Sequence, residues 1–530
     1  MCLVACCFLV LLLPLAGGAD SEDDAVPEVY RRLFKWIEMN GGNLDGVRVA
    51  HFGAHGWGIA RAGSSPSPDG APPSTVPGSF DYPVGLVLST QIAMVEEGPV
   101  RTWLTHDSLQ AMEESNFETS RVGCKDDGAT DDDVCIQIDG CLVLSLFIAV
   151  ERHEGATGLW HPYLDSMTAP NSPVYQLALL DLGVEDMDAE AATEANGLLP
   201  SSKDPVKAAL ELARLAKEIR SPFAPSRYAT KHLDDALESA RAQVDLLFAI
   251  LKRGGGGGTQ EDNALLEDEL NLRRHVLWSY HVVKSRHIKT SLGCSMLPVW
   301  DLINHGWKTA HGSSIRSWQD MTEWIPENRN EKQNGRISYH NPHPDDNAEE
   351  DEEVLQDYGY KSRCPMDWLN LYGFIPQHLI EPIRRRTPSA GDAAVVPTTG
   401  GCGKVLINGR EYSVYGDNGE GLYYHSESER VAPLLDAARA AWAADFHGGD
   451  DANQATTPEM RLVAALSARA DELPPDRDLY AQLDSSPPSA STSAAVAVAK
   501  YQDAAAVMLL ERQALLSTRE ALLRALERGA

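Results

Sequence analysis

Four short stretches of the sequence carry residues that could take part in chemistry. They are Gly56-Trp57-Gly58, Asn304-His305, Tyr358-Gly359 and Tyr372-Gly373. Glycine lets a backbone come close to a ligand, and Asn, His and Tyr supply polar groups that can hold one. Taken singly, each stretch is typical of a structural role, namely a tight turn, an interior polar pair or a strand end. The turn also lacks the helix pattern and the downstream acid of a dinucleotide-binding fingerprint.

The elements that must position the first stretch are predicted as a helix followed by two strands. Apolar residues from Val29 to Ile37 recur at helical spacing, and a pair of glycines ends the pattern. Val47 and Val49 then alternate with polar residues before the glycine-rich turn, which predicts a strand on each side of it.

Helical patterns dominate from about residue 100 to 285 and again at the C-terminal end. The run CLVLSLFIAVERH predicts a buried helix, while VKAALELARLAKEIR and DALESARAQVDLLFAILKR predict amphipathic ones. The glycines at 254–258 are typical of a flexible linker. Alternating residues around Asn408-Gly409 predict a hairpin, and the Ala- and Leu-rich tail predicts helices, the last from about residue 493 to 528.

Composition limits the kind of partner. The 530 residues suffice for roughly two to four domains, and 43% apolar with 23% charged residues is typical of globular protein. The 46 basic and 77 acidic residues leave a net charge of −31. Such a surface repels phosphate backbones, which argues against nucleic acid, and attracts Lys- or Arg-rich protein segments. Acidity that serves solubility alone is the alternative.

The N-terminal run is apolar and ends in small residues, which predicts a signal peptide over residues 1–19, although basic residues are missing at its start. No later stretch is long and apolar enough to span a bilayer. None of the cysteines after it forms a C-x-x-C pair, which argues against structural zinc. In an oxidising lumen Cys124 and Cys135 could form a disulfide, although the sequence does not fix the connectivity; free buried thiols are the alternative.

The order of the motifs along the chain carries more weight than any one of them. HFGAHGWGIARAG is followed by ERHEGATGLWHPYLDSM, SRHI, LPVWDLINHG, EEVLQDYGYKS and LYGF. This succession resembles the SET-domain protein methyltransferases, in particular the branch typified by the Rubisco large-subunit lysine methyltransferase. The resemblance covers about residues 29–375, and the helical tail is similar to that branch's C-terminal substrate-binding domain.

The resemblance implies an α+β fold, in which a β-rich SET core is split by a helical insertion and followed by a mostly helical C-terminal domain. The core would span residues 27–375, with the insertion at about 100–285. A connecting segment with a β-hairpin would follow at 376–429, and the substrate-binding-like domain at 430–530.

The resemblance also implies S-adenosylmethionine (AdoMet) as methyl donor, with no metal. The residues that would hold the donor are Gly56, Trp57, Gly58, Arg286, Asn304 and His305. Tyr358 matches the catalytic tyrosine and Tyr372 a second tyrosine that lines the lysine channel. Asp357, an acid beside this tyrosine that the family pattern does not have, would either hold the lysine charged or help to bind it. The match WHPY, which ends at Tyr163, is interpreted as packing.

The chemistry suits these residue types. Methyl transfer from a sulfonium is an in-line displacement, so the donor carbon and the amine lone pair must be aligned and water excluded. The amine must also be neutral, whereas the ordinary pKa of lysine is about 10.4. An aromatic channel and the nearby sulfonium charge would both lower that pKa. Tyr358 would hydrogen-bond the amine and orient its lone pair.

Departures from the family pattern leave a second hypothesis open. A glycine follows His305 instead of serine, and Gln356-Asp357 stand where the family has a hydrophobic residue and serine. SRCP replaces the family's S-N-A-E after Tyr358, and Ile288 replaces an aromatic residue. The alternative function is a catalytically silent SET-like scaffold that binds a partner protein through its helical C-terminal domain.

The function implied by the resemblance is an AdoMet-dependent protein-lysine N-methyltransferase acting on a non-histone protein. A histidine-methylating variant and a lumenal cation binder are further alternatives. The partner would be a protein that presents a lysine; the oligomeric state is left open. The signal peptide predicts the secretory pathway or a lumen, whereas the cytosolic origin of AdoMet favours a plastid or the cytosol.

Overall fold

The computed structural model describes residues 26–52, 56–62, 79–94, 119–122, 136–155, 158–168, 171–185, 205–254, 269–290, 292–305, 322–324, 336–339, 353–356, 365–376, 404–407, 410–413, 436, 439, 457–483 and 492–527. The predicted signal peptide and most of the predicted glycine linker lie outside the described residues. So do Asp357 and Tyr358.

The described helices are α1 (Glu28–Met39), α2 (Thr90–Ala93), α3 (Gly140–Glu154), α4 (His161–Ser166), α5 (Pro173–Glu185), α6 (Pro205–Arg220), α7 (Arg227–Gly254), α8 (Glu269–Arg286), α9 (Pro365–Tyr372), α10 (Pro458–Glu472), α11 (Asp476–Leu483) and α12 (Thr492–Glu527). Among them, none combines the length and the apolar character that crossing a membrane requires. Short 3₁₀ turns lie at Val84–Leu86, Ser221–Phe223 and Trp300–Leu302.

The described strands are β1 (Val47–His51), β2 (Trp57–Arg61), β3 (Phe80–Pro83), β4 (Leu88–Ser89), β5 (Thr119–Val122), β6 (Ile136–Asp139), β7 (Ile288–Thr290), β8 (Gly293–Met296), β9 (Asn304–His305), β10 (Thr322–Trp324), β11 (Arg336–Tyr339), β12 (Leu355–Gln356), β13 (Lys404–Ile407) and β14 (Arg410–Ser413).

The N-terminal elements form as the sequence predicts. Pro27 precedes α1, where its missing N–H costs no hydrogen bond, and the helix buries Leu33 and Ile37. Gly41, at φ +86°, lets the chain turn out of the helix. β1 and β2 then pair in antiparallel register, which confirms the predicted strands on each side of the glycine-rich turn.

Small sheets, rather than one large one, carry the β structure of the described residues. β11 lies between β10 and β3, and β8 lies between β4 and β7. These two sheets, like the hairpins β1–β2, β5–β6 and β13–β14, are antiparallel, whereas β9 and β12 pair in parallel. The β13–β14 pair confirms the hairpin predicted around Asn408-Gly409.

The helices supply most of the core. α3 is apolar on nearly all sides and is buried against α8, as its composition predicts. The Arg152 guanidinium of α3 lies 3.7 Å from the centroid of the Trp278 ring of α8, a cation–π contact. α5, α7 and α8 pack against one another beside this pair. The mixture of long helices and short strands confirms the α+β class, while the domain boundaries stay predictions.

A buried glutamate of the C-terminal helix α12, Glu511, makes hydrogen bonds to residues outside that helix. Ser226, just before α7, donates to Glu511 Oε2 at 2.5 Å, and Arg469 of α10 donates to the other oxygen at 3.0 Å. Burial raises the pKa of Glu511, and these two donors oppose the shift. The helical tail therefore packs on the rest of the chain through specific polar contacts as well as apolar ones.

Two cysteines form a disulfide that the sequence analysis did not single out. Cys141 at the start of α3 is bonded to Cys294 of β8, with their Cα atoms 5.1 Å apart. Spacing could not reveal the pair because 153 residues separate them. Cys124 and Cys135 lie outside the described residues.

Candidate active site

The glycine-rich turn meets the Asn-His pair in space, although the two are far apart in sequence. A Cβ built on Gly58 would lie 2.5 Å from Asn304 Nδ2 and 3.2 Å from the Phe52 ring. Side chains almost never make such short contacts, so β2 can approach Asn304 this closely because position 58 is glycine. Gly56 differs, since its φ is +76° and a Cβ there would meet no atom of the described residues within 4 Å. Among the described residues, the turn thus packs on Asn304 at Gly58 and meets no close neighbour at Gly56.

A third stretch joins these two. β12 pairs in parallel with β9, with Leu355 opposite Asn304 and Gln356 opposite His305. Gln356 lies two residues before Tyr358 in the sequence. The pairing therefore holds the strand that leads to Tyr358 beside the Asn-His pair.

The residues just before β12 contact β2 as well. Val354 N donates to Ile59 O at 2.7 Å, and Glu353 forms an antiparallel bridge with Ala60. The Glu353 carboxylate also accepts a hydrogen bond from Asn304 Nδ2 at 2.8 Å. Backbone and side-chain hydrogen bonds therefore fix the three distant stretches at one place.

Arg286, at the end of α8, is held by a buried acid. Its Nη1 donates to the Asp301 backbone oxygen at 2.9 Å and lies 3.6 Å from Asp301 Oδ2. The Tyr163 hydroxyl donates to the same Oδ2 at 3.2 Å. The Asp301 side chain is 3% exposed and that of Arg286 is 21% exposed. The Asp301 carboxylate is therefore shielded from solvent, whereas a ligand could still contact the Arg286 guanidinium.

Opposed effects act on the pKa of Asp301. Burial raises it, and Arg286 together with the Tyr163 hydroxyl lowers it by favouring the charged form. Burial also raises the pKa of Tyr163 well above its usual value, so this hydroxyl stays protonated and can donate. The carboxylate, the guanidinium and the phenol therefore form one buried polar network next to β9.

Asp301 was not among the predicted site residues, and Tyr163 was predicted only to pack. Asp301 lies in the apolar run LPVWDLI, and an acid in such a run is a usable signal, because a buried carboxylate needs partners. Tyr163 is fully buried, as its interpretation as packing predicts, but its hydroxyl also orients Asp301. Val299 in the same run has φ 66°, a strained conformation for a β-branched residue. The turn that delivers Asp301 and Asn304 thus stores strain of about 1–3 kcal/mol.

His305 belongs to a cluster of four aromatic rings, here called the ring cluster (His305, Trp368, Tyr372 and Phe374). The His305 centroid lies 4.8 Å from that of Trp368 and 6.4 Å from that of Phe374. Tyr372 lies 5.0 Å from Trp368 and 6.0 Å from Phe374. Trp368 is 2% exposed, while the other three rings are half-buried. The cluster therefore has a buried base and a rim that a ligand can reach.

The segment after Tyr372 is locked in place from two sides. Gly373 has φ +80°, and a Cβ there would lie 2.6 Å from the Asn171 carbonyl, just before α5. The backbone N–H of Ile375 donates to the carboxylate of Asp503 in α12. The C-terminal helix thus reaches the segment that carries the ring cluster.

Comparison with known proteins supports the fold. No protein-family model matches the chain, and no curated protein matches its sequence. Among solved structures, the SET domain of LSMT bound to lysine and AdoHcy matches with a TM-score of 0.51 and 11% identity, over 95% of this chain and 92% of that chain. The chain has the fold of an LSMT-type SET domain. Rubisco LSMT bound to AdoMet matches with a TM-score of 0.45 and 12% identity, over 94% and 92%.

The SET fold places most of the predicted site residues near one another. Those that the hydrogen bonds, packing and ring contacts above bring together are Gly56, Trp57, Gly58, Asn304, His305 and Tyr372. Arg286 joins this group through Asp301, which lies on the turn before β9. Asp357 and Tyr358 are outside the described residues. The roles assigned to all of these residues stay predictions.

Proposed function

We propose that this protein is an AdoMet-dependent protein-lysine N-methyltransferase that acts on a non-histone protein. The observation that carries the proposal is the convergence of Gly58, Asn304 and the strand leading to Tyr358 beside the ring cluster. A solved structure of the same fold, the SET domain of LSMT, has lysine and AdoHcy bound. That supports a methyl donor and an amine acceptor as the ligands of this site.

The residues present fit the donor. None of the described residues comes within 4 Å of a Cβ at Gly56, which leaves room on their side for a ligand next to the backbone of the turn. Asn304 lies against Gly58, two residues farther along the turn, and the guanidinium of Arg286, whose side chain is 21% exposed, would bind the donor's carboxylate. When bound, AdoMet supplies an activated methyl group carried by a sulfonium. The chain's own contribution is to hold the donor still and to exclude water, and such alignment is worth about 7–11 kcal/mol.

The ring cluster suits the amine. Deprotonating a lysine at pH 7 costs roughly 4–5 kcal/mol at its ordinary pKa. The rings of His305, Tyr372 and Phe374 would lower this cost by replacing the water around the ammonium with an apolar wall. Tyr358 would then hydrogen-bond the neutral amine and direct its lone pair.

The experiment combines methyl transfer with a single substitution. The full chain, incubated with methyl-labelled AdoMet and a protein extract, should transfer label to lysine side chains, identified by mass spectrometry. Tyr358→Phe should slow the transfer about 10- to 100-fold and leave AdoMet affinity nearly unchanged. Tyr480→Phe, in α11, is the matched control and should transfer at the wild-type rate.

Three other outcomes of this experiment would contradict the proposed function or mechanism. Label on histidine would favour the histidine-methylating alternative. AdoMet binding without any transfer would favour the silent scaffold, which the departures around Tyr358 motivate. Equal transfer by Tyr358→Phe would remove Tyr358 from the mechanism.

We further propose that the substrate is a basic segment and that residues 1–19 direct the protein into a secretory or lumenal route. The net charge of −31 supports the first proposal, and the apolar N-terminal run supports the second. A fluorescent fusion to residues 1–30 tests the route. Diffuse cytosolic fluorescence would contradict it, and plastid fluorescence would favour the alternative compartment.

A further inference from the structure

Three side chains of types that can bind a metal lie close together where α3 meets the β7–β8 hairpin. They are Cys141, His287 and Cys294, and both sulfurs and one ring nitrogen of the histidine lie within 4.8 Å of one another. Cys294 is buried, and the other two residues are half-buried. The two cysteines form the disulfide described above. The arrangement is thus an oxidised cysteine pair with an imidazole beside it.

The backbone around both cysteines is held by contacts that do not involve the disulfide. The Thr90 hydroxyl donates to Gly140 O at 2.9 Å and accepts from Cys294 N at 3.2 Å. The Asp139 carboxylate caps α3 by accepting from Leu142 N at 2.8 Å. β8 lies in the middle of its sheet, between β4 and β7. The two sulfurs would therefore stay near each other after reduction.

One ring nitrogen of His287 makes a hydrogen bond of the kind that metal-binding histidines usually make. Its Nδ1 lies 2.8 Å from Val283 O, and because a carbonyl oxygen only accepts, this nitrogen carries the hydrogen. The lone pair is then on Nε2. In proteins that bind a metal through histidine Nε2, Nδ1 commonly donates a hydrogen bond to a backbone carbonyl, which holds the ring in place.

We propose that reduction of the Cys141–Cys294 disulfide creates a zinc site with the two thiolates and His287 as ligands. Two sulfurs and one imidazole nitrogen suit Zn²⁺, and with three protein ligands a water molecule would complete the tetrahedron from the half-exposed side. The two thiolate charges balance those of the ion. C-x-x-C spacing does not reveal such a site, because the cysteines lie on separate elements.

The reaction can be written with a phosphine as reductant. The phosphine breaks the S–S bond and takes the oxygen of one water molecule to become a phosphine oxide. The two hydrogens of that water end on the two sulfurs. Binding of Zn²⁺ then releases both thiol protons to solvent and forms two zinc–sulfur bonds, with no further change in oxidation state. Oxidation of the thiols back to the disulfide would expel the metal.

The test compares the full chain in its two redox states. Phosphine-reduced, desalted protein is titrated with Co²⁺ under anaerobic conditions, because cobalt reports a tetrahedral site by its visible bands and thiolate ligands by charge transfer in the near ultraviolet. We expect these bands to saturate at one Co²⁺ per chain, to disappear when Zn²⁺ is added, and to be absent from the oxidised protein. The comparison needs no substitution, so misfolding of a variant cannot obscure it.

Substitutions then assign the ligands. Cys141→Ser and Cys294→Ser should each weaken the charge-transfer bands and the affinity by well over tenfold, and His287→Ala should lower the affinity at least tenfold. His51→Ala, an exposed histidine of β1, is the matched control for His287→Ala and should leave both unchanged. Thermal melts in the reduced state check that each variant is folded. Reduced wild-type protein without these bands would overturn the proposal, and so would bands of full strength in both serine variants. The readout is metal binding, so it is independent of methyl transfer.

Discussion

The two halves of the candidate active site are fixed by different forces. In the proposed donor half, formed by β2, Asn304 of β9 and β12, short strands are joined by hydrogen bonds and by a contact at Gly58 that leaves no room for a methyl group. In the substrate half, the ring cluster is held by aromatic packing and by the C-terminal helix α12 through Asp503.

The difference has a consequence for how each half responds to change. The donor half depends on exact distances and on a buried ion pair, so small changes there should cause large losses. The substrate half is held by the packing of half-buried rings. Replacing one of these rings should lose less free energy, because its neighbours can repack around it. Such a division suits a site that always binds the same donor but presents a variable surface to protein substrates.

The largest effect is expected for Asp301→Asn. This substitution keeps the shape of the side chain but leaves Arg286 without its buried charge partner, which should cost about 3 kcal/mol of unfolding free energy, measured by urea denaturation. The control is Asp165→Asn, which removes the exposed pair with Arg32 and should cost less than about 1 kcal/mol. Equal losses in the two variants would show that Asp301 does not brace the donor half.

Gly58→Ala should weaken AdoMet binding about 10- to 100-fold. The added Cβ would lie 2.5 Å from Asn304 Nδ2, and overpacking of this kind costs about 1–3 kcal/mol. Isothermal titration measures the affinity. Gly85→Ala is the matched control, because a Cβ there would meet no atom of the part of the chain that the structure describes within 4 Å. Unchanged affinity in Gly58→Ala would mean that the contact with Asn304 does not shape the donor pocket.

Asp503→Asn tests the anchor of the substrate half through pH. The pKa of Asp503 is raised to about 7, because the effect of burial outweighs that of the hydrogen bond from Ile375, which lowers the pKa. In the unfolded chain the group ionises near its ordinary value of 3.8, so the folded state binds the proton more tightly between about pH 4 and pH 7. The aspartate therefore costs stability as pH rises through this window, and the full cost remains above it.

The variant should remove that cost. We expect Asp503→Asn to be more stable than wild type by roughly 2 kcal/mol at pH 8, with the difference shrinking toward pH 4. Thermal or urea unfolding at several pH values measures it, and Asp478→Asn, an exposed acid of α11, should show no such trend. A difference that is constant with pH would contradict the assignment of this titration to Asp503.

Tyr372→Ala should give the smallest and most selective effect. Loss of the ring removes contacts with Trp368 and Phe374 that are worth roughly 1 kcal/mol. The catalytic efficiency for the protein substrate should fall about fivefold while AdoMet affinity stays within about twofold. Tyr372→Phe keeps the ring and should be close to wild type. A loss of AdoMet affinity as large as that in Gly58→Ala would erase the distinction between the halves.

Local patterns in the sequence predicted the elements that depend on near neighbours. The helical spacing in α1, the apolar run of α3 and the turn between β13 and β14 are all encoded within a few residues. The β5–β6 hairpin was not foreseen within the range expected to be helical, because each of its strands has four residues and too few alternations to recognise.

The parts of the site that could not be predicted depend on pairings between residues far apart in the sequence. β9 and β12 have two residues each, and nothing local marks Asn304 and Leu355 as partners in a parallel pair. The order of motifs predicted that these stretches belong to one pocket, whereas the partner of Arg286 and the cluster around Cys294 depend on tertiary packing. Contacts between positions far apart in the chain produce no repeating pattern of residue types, so a single sequence does not reveal them.

The most direct test of the account is isothermal titration of the full chain with AdoMet, in competition with AdoHcy. The account predicts one molecule of AdoMet bound per chain, displaced by AdoHcy, with the affinity lost in Gly58→Ala and kept in Tyr372→Ala. A correctly folded chain that shows no binding of AdoMet at any accessible concentration would contradict it, because the convergence of Gly58, Asn304 and β12 would then form no donor site.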